Sequence, residues 1–326
     1  MTLQHFNQSL FMNGTSDHWP ALPFAEWKDT AETLHMWTQI VGKIRLTLSP
    51  WTNHSWHVTL YVTSRGLTTS PIPHGMRTFE INFDFIEHQL RIETSDAKRR
   101  TIELKPRSVA DFYGAVLKNL DELNLPVTIN KVPNEIENAI PFDEDQEHRF
   151  YDREYANRFW RVLLQSDRVF KEFRSRFCGK CSPVHFFWGS FDLAVTRFSG
   201  RAAPPHPGGI PHLPDAITRE AYSMEVSSLG FWPGNAAAPT AIFYSYAYPE
   251  PAGFAEARVQ PAAAFHEPKF REFMLPYDAV RTAEKADEVL LNFAQSTYDA
   301  ASKLGKWDRD ALREEKPSLH SMHLRP

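Results

Sequence analysis

The feature that most constrains the fold is an order of predicted elements that occurs twice along the chain. Each half follows a helix–four-strand–helix pattern, and the first helix of each half carries a tryptophan at a matching position, Trp27 and Trp160. The loop sequence Ile72-Pro73-His74 also returns as Ile210-Pro211-His212. Alternating apolar and polar residues in the strands predict sheets with one face against a core. We interpret the repetition as an internal duplication, and the alternative is coincidence between two similar α+β patterns.

The predicted fold class is therefore α+β. Two such units are expected to form one curved antiparallel sheet with helices on one face, in a saddle-like arrangement. That order of elements resembles the saddle of the TATA-binding proteins, although no nucleic-acid motif accompanies it. The predicted divisions are a lead-in at 1–20, a first repeat at 21–130, a linker at 131–153, a second repeat at 154–305 and a flexible tail at 306–326.

Composition excludes several classes of protein. Lys and Arg total 36 against 40 Asp and Glu, a near-neutral balance that argues against binding nucleic acid through a basic face. No apolar run is long enough for a membrane span, and no secretory signal is visible at the start of the chain. With only 2 cysteines there is no disulfide framework. These features favour a cytoplasmic location, and the duplication is compatible with a monomer, although the oligomeric state is not predicted.

Candidate catalytic residues follow from the predicted strand faces. Strands are expected at Ile44–Leu48, at Trp56–Thr63, at Val184–Phe198 and at Ala221–Leu229. Their polar faces would carry three candidates for acid–base chemistry, namely His57, Asp192 and Glu225. An imidazole titrates near neutrality, so His57 is the candidate general base, with the two carboxylates orienting it or acting as a second acid–base group. The alternative is a solvated sheet face and a structural histidine.

Candidate ligand-binding residues lie around the same predicted face. Aromatic side chains would form its walls, and arginines at strand ends suit a carboxylate or phosphate on a small ligand. The alternative for the arginines is an internal salt bridge at a sheet edge. The predicted ligand-binding set is His54, Arg65, Trp188, Arg197, Arg201 and Tyr246.

The proline- and glycine-rich loop at 200–219 is long enough to cover this face. Its histidines, His206 and His212, could join Glu225 in a metal site with two histidines and one carboxylate. The alternative is that they bond to the backbone. Cys178 and Cys181 form a Cys-x-x-Cys that follows a helix, the wrong end for a redox pair, so two thiols in a tight turn are expected.

Three strings resemble a bacterial family classed only as a domain of unknown function: Gln39–Leu46, Arg65–Thr69 and His185–Leu193. The resemblance covers roughly residues 19–305 and implies no catalytic residue and no cofactor. The leading hypothesis is a small-molecule enzyme that uses acid–base chemistry. The alternatives are a non-catalytic module that binds a small ligand or a protein partner, and a metal-dependent enzyme. The sequence identifies neither the substrate nor a cofactor.

Overall fold

The structure is a computed structural model that describes residues 18–313. Residues 1–17 of the predicted lead-in and residues 314–326 of the predicted tail lie outside the described residues. The helices are α1 Phe24–Leu48, α2 Val109–Glu122, α3 Arg153–Ser175, α4 Asp215–Ala221, α5 Tyr277–Arg281, α6 Ala286–Leu304 and α7 Arg309–Leu312. The strands are β1 Tyr61–Val62, β2 Gly66–Thr68, β3 Ile72–His74, β4 Arg77–Asp84, β5 Gln89–Thr94, β6 Arg99–Glu103, β7 His185–Phe187, β8 Asp192–Ala202, β9 Met224–Trp232, β10 Ile242–Tyr248, β11 Phe265–Glu267 and β12 Glu272–Pro276.

These strands form two antiparallel sheets, so the described chain is a mixed α+β fold. The first sheet has the order β1-β2-β4-β5-β6, with β3 also paired to β4, and the second has the order β11-β12-β10-β9-β8-β7. The sheets are joined where Leu60 and Phe186 exchange backbone hydrogen bonds of 2.9 and 2.8 Å. Each sheet is close to a meander, in which strands that follow one another in sequence are mostly hydrogen-bonded neighbours.

The core lies between the sheets and the long helices. On β8, Leu193 and Val195 are fully buried on the side that α3 covers, while alternate residues face the opposite way. Helix α2 begins after Ser108, whose side chain caps it by accepting a hydrogen bond from the Asp111 backbone N–H at 3.0 Å. One face of the second sheet is thus used for the core, and its other face is free to line a cavity.

The first predicted strand, Ile44–Leu48, is instead the end of α1. Its alternation is too short to distinguish a strand from a buried helical turn. Ile44 continues the buried helical face, and the Arg45 guanidinium donates to the backbone oxygen of His57 at 2.7 Å. Gly42 lies within α1, where a Cβ atom would lie 2.2 Å from the Trp188 indole. The glycine therefore allows the helix and the indole to pack closely.

Two further predicted strands are broken by turns. Of the stretch 56–63, only Tyr61–Val62 is a strand, and a 3-10 turn at Asn53–Ser55 precedes it. The stretch 184–198 contains β7, a turn and most of β8, and the two strands pair as a hairpin. Phe191 lies in the turn with a φ of 60°. His57 and Trp188 therefore come from turns and not from the predicted strand faces.

Between α2 and α3 the chain contains no helix or strand over residues 123–152, in line with the composition of the predicted linker. It is nonetheless packed against the rest of the molecule. Phe142 is fully buried, and Asp145 accepts hydrogen bonds from two backbone N–H groups at 3.0 and 3.1 Å. This segment brings polar side chains up to the free face of the second sheet.

Candidate functional site

A cavity of about 1390 Å³ lies over the free face of the second sheet. It is larger than most small-molecule pockets, which run to roughly 1000 Å³. Its walls come from the end of α1, the segment 130–135, the β7–β8 turn, the loop before β9 with α4, and the strands themselves. Ten aromatic side chains line it: Trp51, Trp56, Phe187, Trp188, Phe198, Tyr222, Trp232, Tyr244, Tyr246 and Phe270.

The sheet places Asp192 at one end of this face and fixes it with hydroxyl groups. Asp192 is 7% exposed, and its two carboxylate oxygens accept hydrogen bonds from Ser190 and Tyr244. Tyr244 reaches it by lying across Gly230, where a Cβ atom would come within 2.1 Å of the tyrosine ring. Glycine inside a strand commonly marks such a close approach.

The pKa of Asp192 is raised. Burial is the main cause, and the hydrogen bonds from Ser190 and Tyr244 oppose it only in part. The negative charge of Asp192 adds to burial in raising the pKa of Tyr244 well above its ordinary value. Tyr244 therefore keeps its proton and donates a hydrogen bond to the buried Asp192 carboxylate.

Two further carboxyl groups line the same cavity, Glu135 from the segment before α3 and Glu272 from β12. Burial raises the pKa of each to about 7, and repulsion from Asp192 adds to the effect in both cases. Glu135 lies over the β7–β8 turn, since a Cβ atom on Gly189 would meet its Oε1 atom at 2.0 Å. Within residues 18–313, none of the three acids forms an ion pair with lysine, arginine or histidine.

The predicted arginines are elsewhere, each with its own partner. Arg65 forms an ion pair with Asp84 at 2.6 Å. Arg197 is 1% exposed in the core, with its guanidinium 3.4 Å from the centre of the Phe173 ring. Arg65, Arg197 and Arg201 are not among the residues that line the cavity, so the structure does not bring these predicted ligand-binding residues to it.

Glu225 also lies outside the cavity, and the expected grouping of His57, Asp192 and Glu225 is not formed. On β9, Leu229 and Phe231 face the core, which turns Val226 and Ser228 toward the cavity and Glu225 away from it. Glu225 instead pairs with Arg201 at 2.6 Å. The sequence predicts the face of Glu225 from the weakly apolar residues at the start of β9. The strongly apolar residues at the end of β9 instead determine which side of the strand faces the core.

The remaining predicted ligand-binding residues do line the cavity: His54, Trp188 and Tyr246. The Trp188 indole N–H donates to the Val58 backbone oxygen at 2.7 Å, and the Tyr246 hydroxyl lies 2.8 Å from that of Tyr222. His54 has its Nδ1 atom 3.0 Å from the Ala221 backbone oxygen.

His57 lines the cavity as well, from the turn before β1. Its Nδ1 atom lies 3.2 Å from the Thr52 backbone nitrogen, and burial lowers the pKa of the imidazole. The lowered pKa favours the neutral ring, and because Nδ1 accepts from the Thr52 backbone N–H, the ring proton is on Nε2.

The loop predicted to cover the polar face does lie over it. Of the predicted loop, residues 200–202 belong to β8, and residues 210–218, which include the start of α4, form one wall of the cavity. The Glu220 carboxylate fixes this wall by accepting hydrogen bonds of 2.9 Å from the His54 backbone N–H.

The metal site predicted from the loop is not assembled. His206 stacks on Tyr222 at 4.7 Å and accepts from the Gly208 backbone N–H at 3.1 Å, whereas His212 lines the cavity and Glu225 lies outside it. Across the described range there is no group of three or more histidine, cysteine or acidic residues arranged to hold a metal ion. The three cavity acids therefore do not constitute a metal centre in this arrangement.

Lys43 is the one lysine that lines the cavity among the described residues. Its Nζ atom donates to the Val132 backbone oxygen at 2.5 Å, and burial lowers its pKa to about 8. No carboxylate contributes to that pKa, so Lys43 does not neutralise the acids. The cysteines are free thiols, and burial raises the pKa of Cys181 to about 11, which makes it a poor nucleophile.

Glu135 and Glu272 are missed by reasoning from the sequence. Glu135 lies in an acidic segment that has the composition of a linker, and Glu272 lies at the start of β12, directly after the β11–β12 turn. Two signals in the sequence point to the site: Gly230 within an apolar strand, and the alternating tyrosines Tyr244 and Tyr246 on its neighbour.

The fold and this cavity define a mixed α+β protein with two antiparallel sheets and an acidic, aromatic-walled cavity on the second. Between residues 18 and 313 no helix is both long and apolar enough to cross a bilayer. The chain belongs to the family of unknown function DUF5996, which matches residues 19–314 and confirms the resemblance seen in the sequence. No curated protein and no solved structure matches the chain.

Proposed function

We propose that this protein is an enzyme that acts on a small molecule by acid–base chemistry in the cavity. The observation that carries this proposal is the grouping of Glu135, Asp192 and Glu272 in one aromatic-walled space without a basic partner in the described chain. Buried carboxyl groups with raised pKa values are typical of catalytic acids and bases. Structural carboxylates, in contrast, are normally paired.

The proposed chemistry is proton transfer. With pKa values of about 7, Glu135 and Glu272 each exist in both forms near neutral pH. One carboxylate can therefore accept a proton from the substrate while the other carboxylic acid donates one. The hydrogen bond from the Tyr244 hydroxyl holds the Asp192 carboxylate in place in the same cavity.

Several expectations from the sequence remain part of the proposal. His57 is proposed to form a hydrogen bond with the ligand through its Nε2 atom, and His54, Trp188 and Tyr246 are proposed as contact residues. The internal duplication, the saddle-like shape, the division into two repeats and the cytoplasmic location are also proposals. The repeated order of helix, sheet and helix along the chain supports the duplication and the two repeats.

A solvent-isotope experiment tests the enzyme proposal even though the substrate is unidentified. The protein is incubated with a mixture of cellular small molecules in heavy water, and mass spectrometry follows consumption and deuterium uptake. We expect at least one compound to change with the wild-type protein and to remain unchanged with the Glu135→Gln/Asp192→Asn variant. Circular dichroism confirms that the variant is folded.

The matched control is Glu225→Gln, because Glu225 is an acid of the same sheet that faces away from the cavity. It should behave as the wild type does. Retention of a small molecule in native mass spectrometry, with no chemical change in any compound, would instead support the non-catalytic binding module. Equal turnover by the wild type and the cavity variant would contradict the assigned site.

A further inference from the structure

The charges around the cavity are unbalanced. Glu135, Asp192 and Glu272 lie close enough for the charge of Asp192 to act on both glutamates. The Glu135 carboxylate is largely enclosed by protein and has no hydrogen-bond donor among the residues described. Lys43 is occupied by the Val132 backbone oxygen, and the described lining includes no arginine. A buried carboxylate without a partner is costly, and a bound positive charge removes that cost.

The aromatic walls favour the same sign of charge. The faces of tryptophan and tyrosine rings attract cations, most strongly where water is excluded. Tyr244 and Tyr246 lie with their rings nearly parallel, 12° apart, within reach of the charges of Asp192 and Glu272. An anion would meet both the carboxylates and the negative ring faces, so the cavity selects against it.

The mouth of the cavity is apolar. Trp51 is 55% exposed, Phe270 is 50% exposed and Leu46 is 39% exposed, and all three also line the cavity. Large exposed apolar side chains grouped at an opening are typical of a ligand-binding site. They suit the uncharged part of a ligand whose charged group lies deeper.

Resting on the proposed function, we propose that the ligand of this cavity is an organic cation, a protonated amine attached to an apolar body of at least one aromatic ring. The ammonium group would lie among Glu135, Asp192 and Glu272. The apolar body would lie against the tryptophans toward the mouth. A metal cation is not the proposed occupant, because the described residues offer no arrangement of three metal-ligating side chains.

The test compares ligands of one shape and three charges by isothermal titration calorimetry at about pH 8, where both glutamates are ionised. Tryptamine carries the cation, indole-3-ethanol is neutral and indole-3-propionate is the anion. We expect tryptamine to bind about tenfold or more tightly than indole-3-ethanol, and indole-3-propionate to bind most weakly. Phenethylamine and 2-phenylethanol repeat the comparison on a smaller body.

Variants of the acids assign the effect to the cavity. Glu135→Gln and Glu272→Gln should each weaken tryptamine binding about tenfold while leaving indole-3-ethanol unchanged, since glutamine keeps the shape and removes the charge. Glu137→Gln is the matched control, because Glu137 is an exposed acid two residues from Glu135. It should leave both affinities unchanged.

The outcomes separate the two proposals. Equal binding of amine and alcohol, tighter binding of the anion, or unchanged amine affinity in both glutamine variants would overturn the organic cation but leave a small-molecule cavity intact. Absence of binding by every probe would overturn the cation proposal. If the wild type also changed no compound in heavy water, the enzyme proposal would fail with it.

Discussion

The two sheets each bury an aspartate at one end of a strand, and the two aspartates have opposite surroundings. Asp84 ends β4 in the first sheet and is 2% exposed, with Arg65 at 2.6 Å and Arg91 at 2.9 Å. Asp192 begins β8 in the second sheet and is 7% exposed, and among the described residues its side-chain partners are the hydroxyl groups of Ser190 and Tyr244. Burial is similar in the two places, and the compensating charge differs.

Their pKa values shift in opposite directions as a result. Burial alone would raise the pKa of Asp84, but the hydrogen bond from Arg65, two backbone N–H groups and the charge of Arg91 together hold it below the ordinary value. At Asp192 the hydroxyl groups do not overcome burial, and the pKa is raised. A carboxylate surrounded by arginines stabilises the fold, whereas one without a cation is available to a ligand.

The largest expected effect is on stability, from neutralising the paired aspartate. Asp84→Asn leaves Arg65 and Arg91 without their shared acceptor and should lower the free energy of unfolding by about 3 kcal/mol at neutral pH. Asp192→Asn removes a charge that has no cation and should change it by less than about 1 kcal/mol. Urea denaturation measures both variants, and equal losses would remove the distinction between the sheets.

A smaller effect is expected from filling the space under Tyr244. Gly230→Ala places a methyl group 2.1 Å from the tyrosine ring, so the ring must move away from Asp192, at a cost of about 2 kcal/mol. Gly114→Ala is the matched control, because no atom lies within 4 Å of the added carbon and the site is within α2. That change should stabilise the protein by about 0.5–1 kcal/mol. Thermal and urea denaturation of both variants check the prediction, and equal changes would show that Tyr244 is not held over Gly230.

The smallest expected effect is the pH dependence of stability from the two glutamates. Their pKa values of about 7 in the folded state exceed the ordinary value of 4.5, so the folded protein binds more protons within that range. Their contribution is complete below about pH 4.5 and is lost as the pH rises through about 7. Because both side chains face a cavity that water can enter, the loss should be only about 1 kcal/mol.

The Glu135→Gln/Glu272→Gln variant should lack this part of the pH profile, and Glu225→Gln should retain it. Urea denaturation from about pH 5 to about pH 8 provides the comparison. A cavity variant with the same slope as the wild type would show that these glutamates titrate normally.

Local sequence patterns predict those parts of the fold that depend on local contacts. The Ser108 cap of α2 and the alternation of β4 are satisfied within a few residues, and the structure has both. The prediction for Ile44–Leu48 is wrong because a strand and a buried helical turn are equally apolar over five residues. The predicted strand face of Glu225 is wrong because the deciding residues, Leu229 and Phe231, lie further along β9.

The sequence predicts only part of the candidate site, because the site depends on contacts between residues that are distant in sequence. Asp192, Trp188, Tyr246, His54 and His57 all line the cavity. The partners that define its chemistry come from other segments: Glu135 lies in a stretch without helix or strand, and Glu272 follows a hairpin turn. Whether a buried acid has an arginine beside it is a property of the folded chain, and no local pattern encodes it.

Carbon-13 NMR of side-chain carboxyl groups, with labelled glutamate, tests most directly whether the acids of the cavity lack a neighbouring positive charge. Signals of Glu135 and Glu272 are assigned by their loss in the Glu135→Gln and Glu272→Gln variants, and each is followed through a pH titration. Both are expected to titrate near pH 7, above the exposed glutamates, and to shift to lower pH when tryptamine is bound. Titration of both signals at the ordinary value of about 4.5 would contradict an uncompensated acidic cavity.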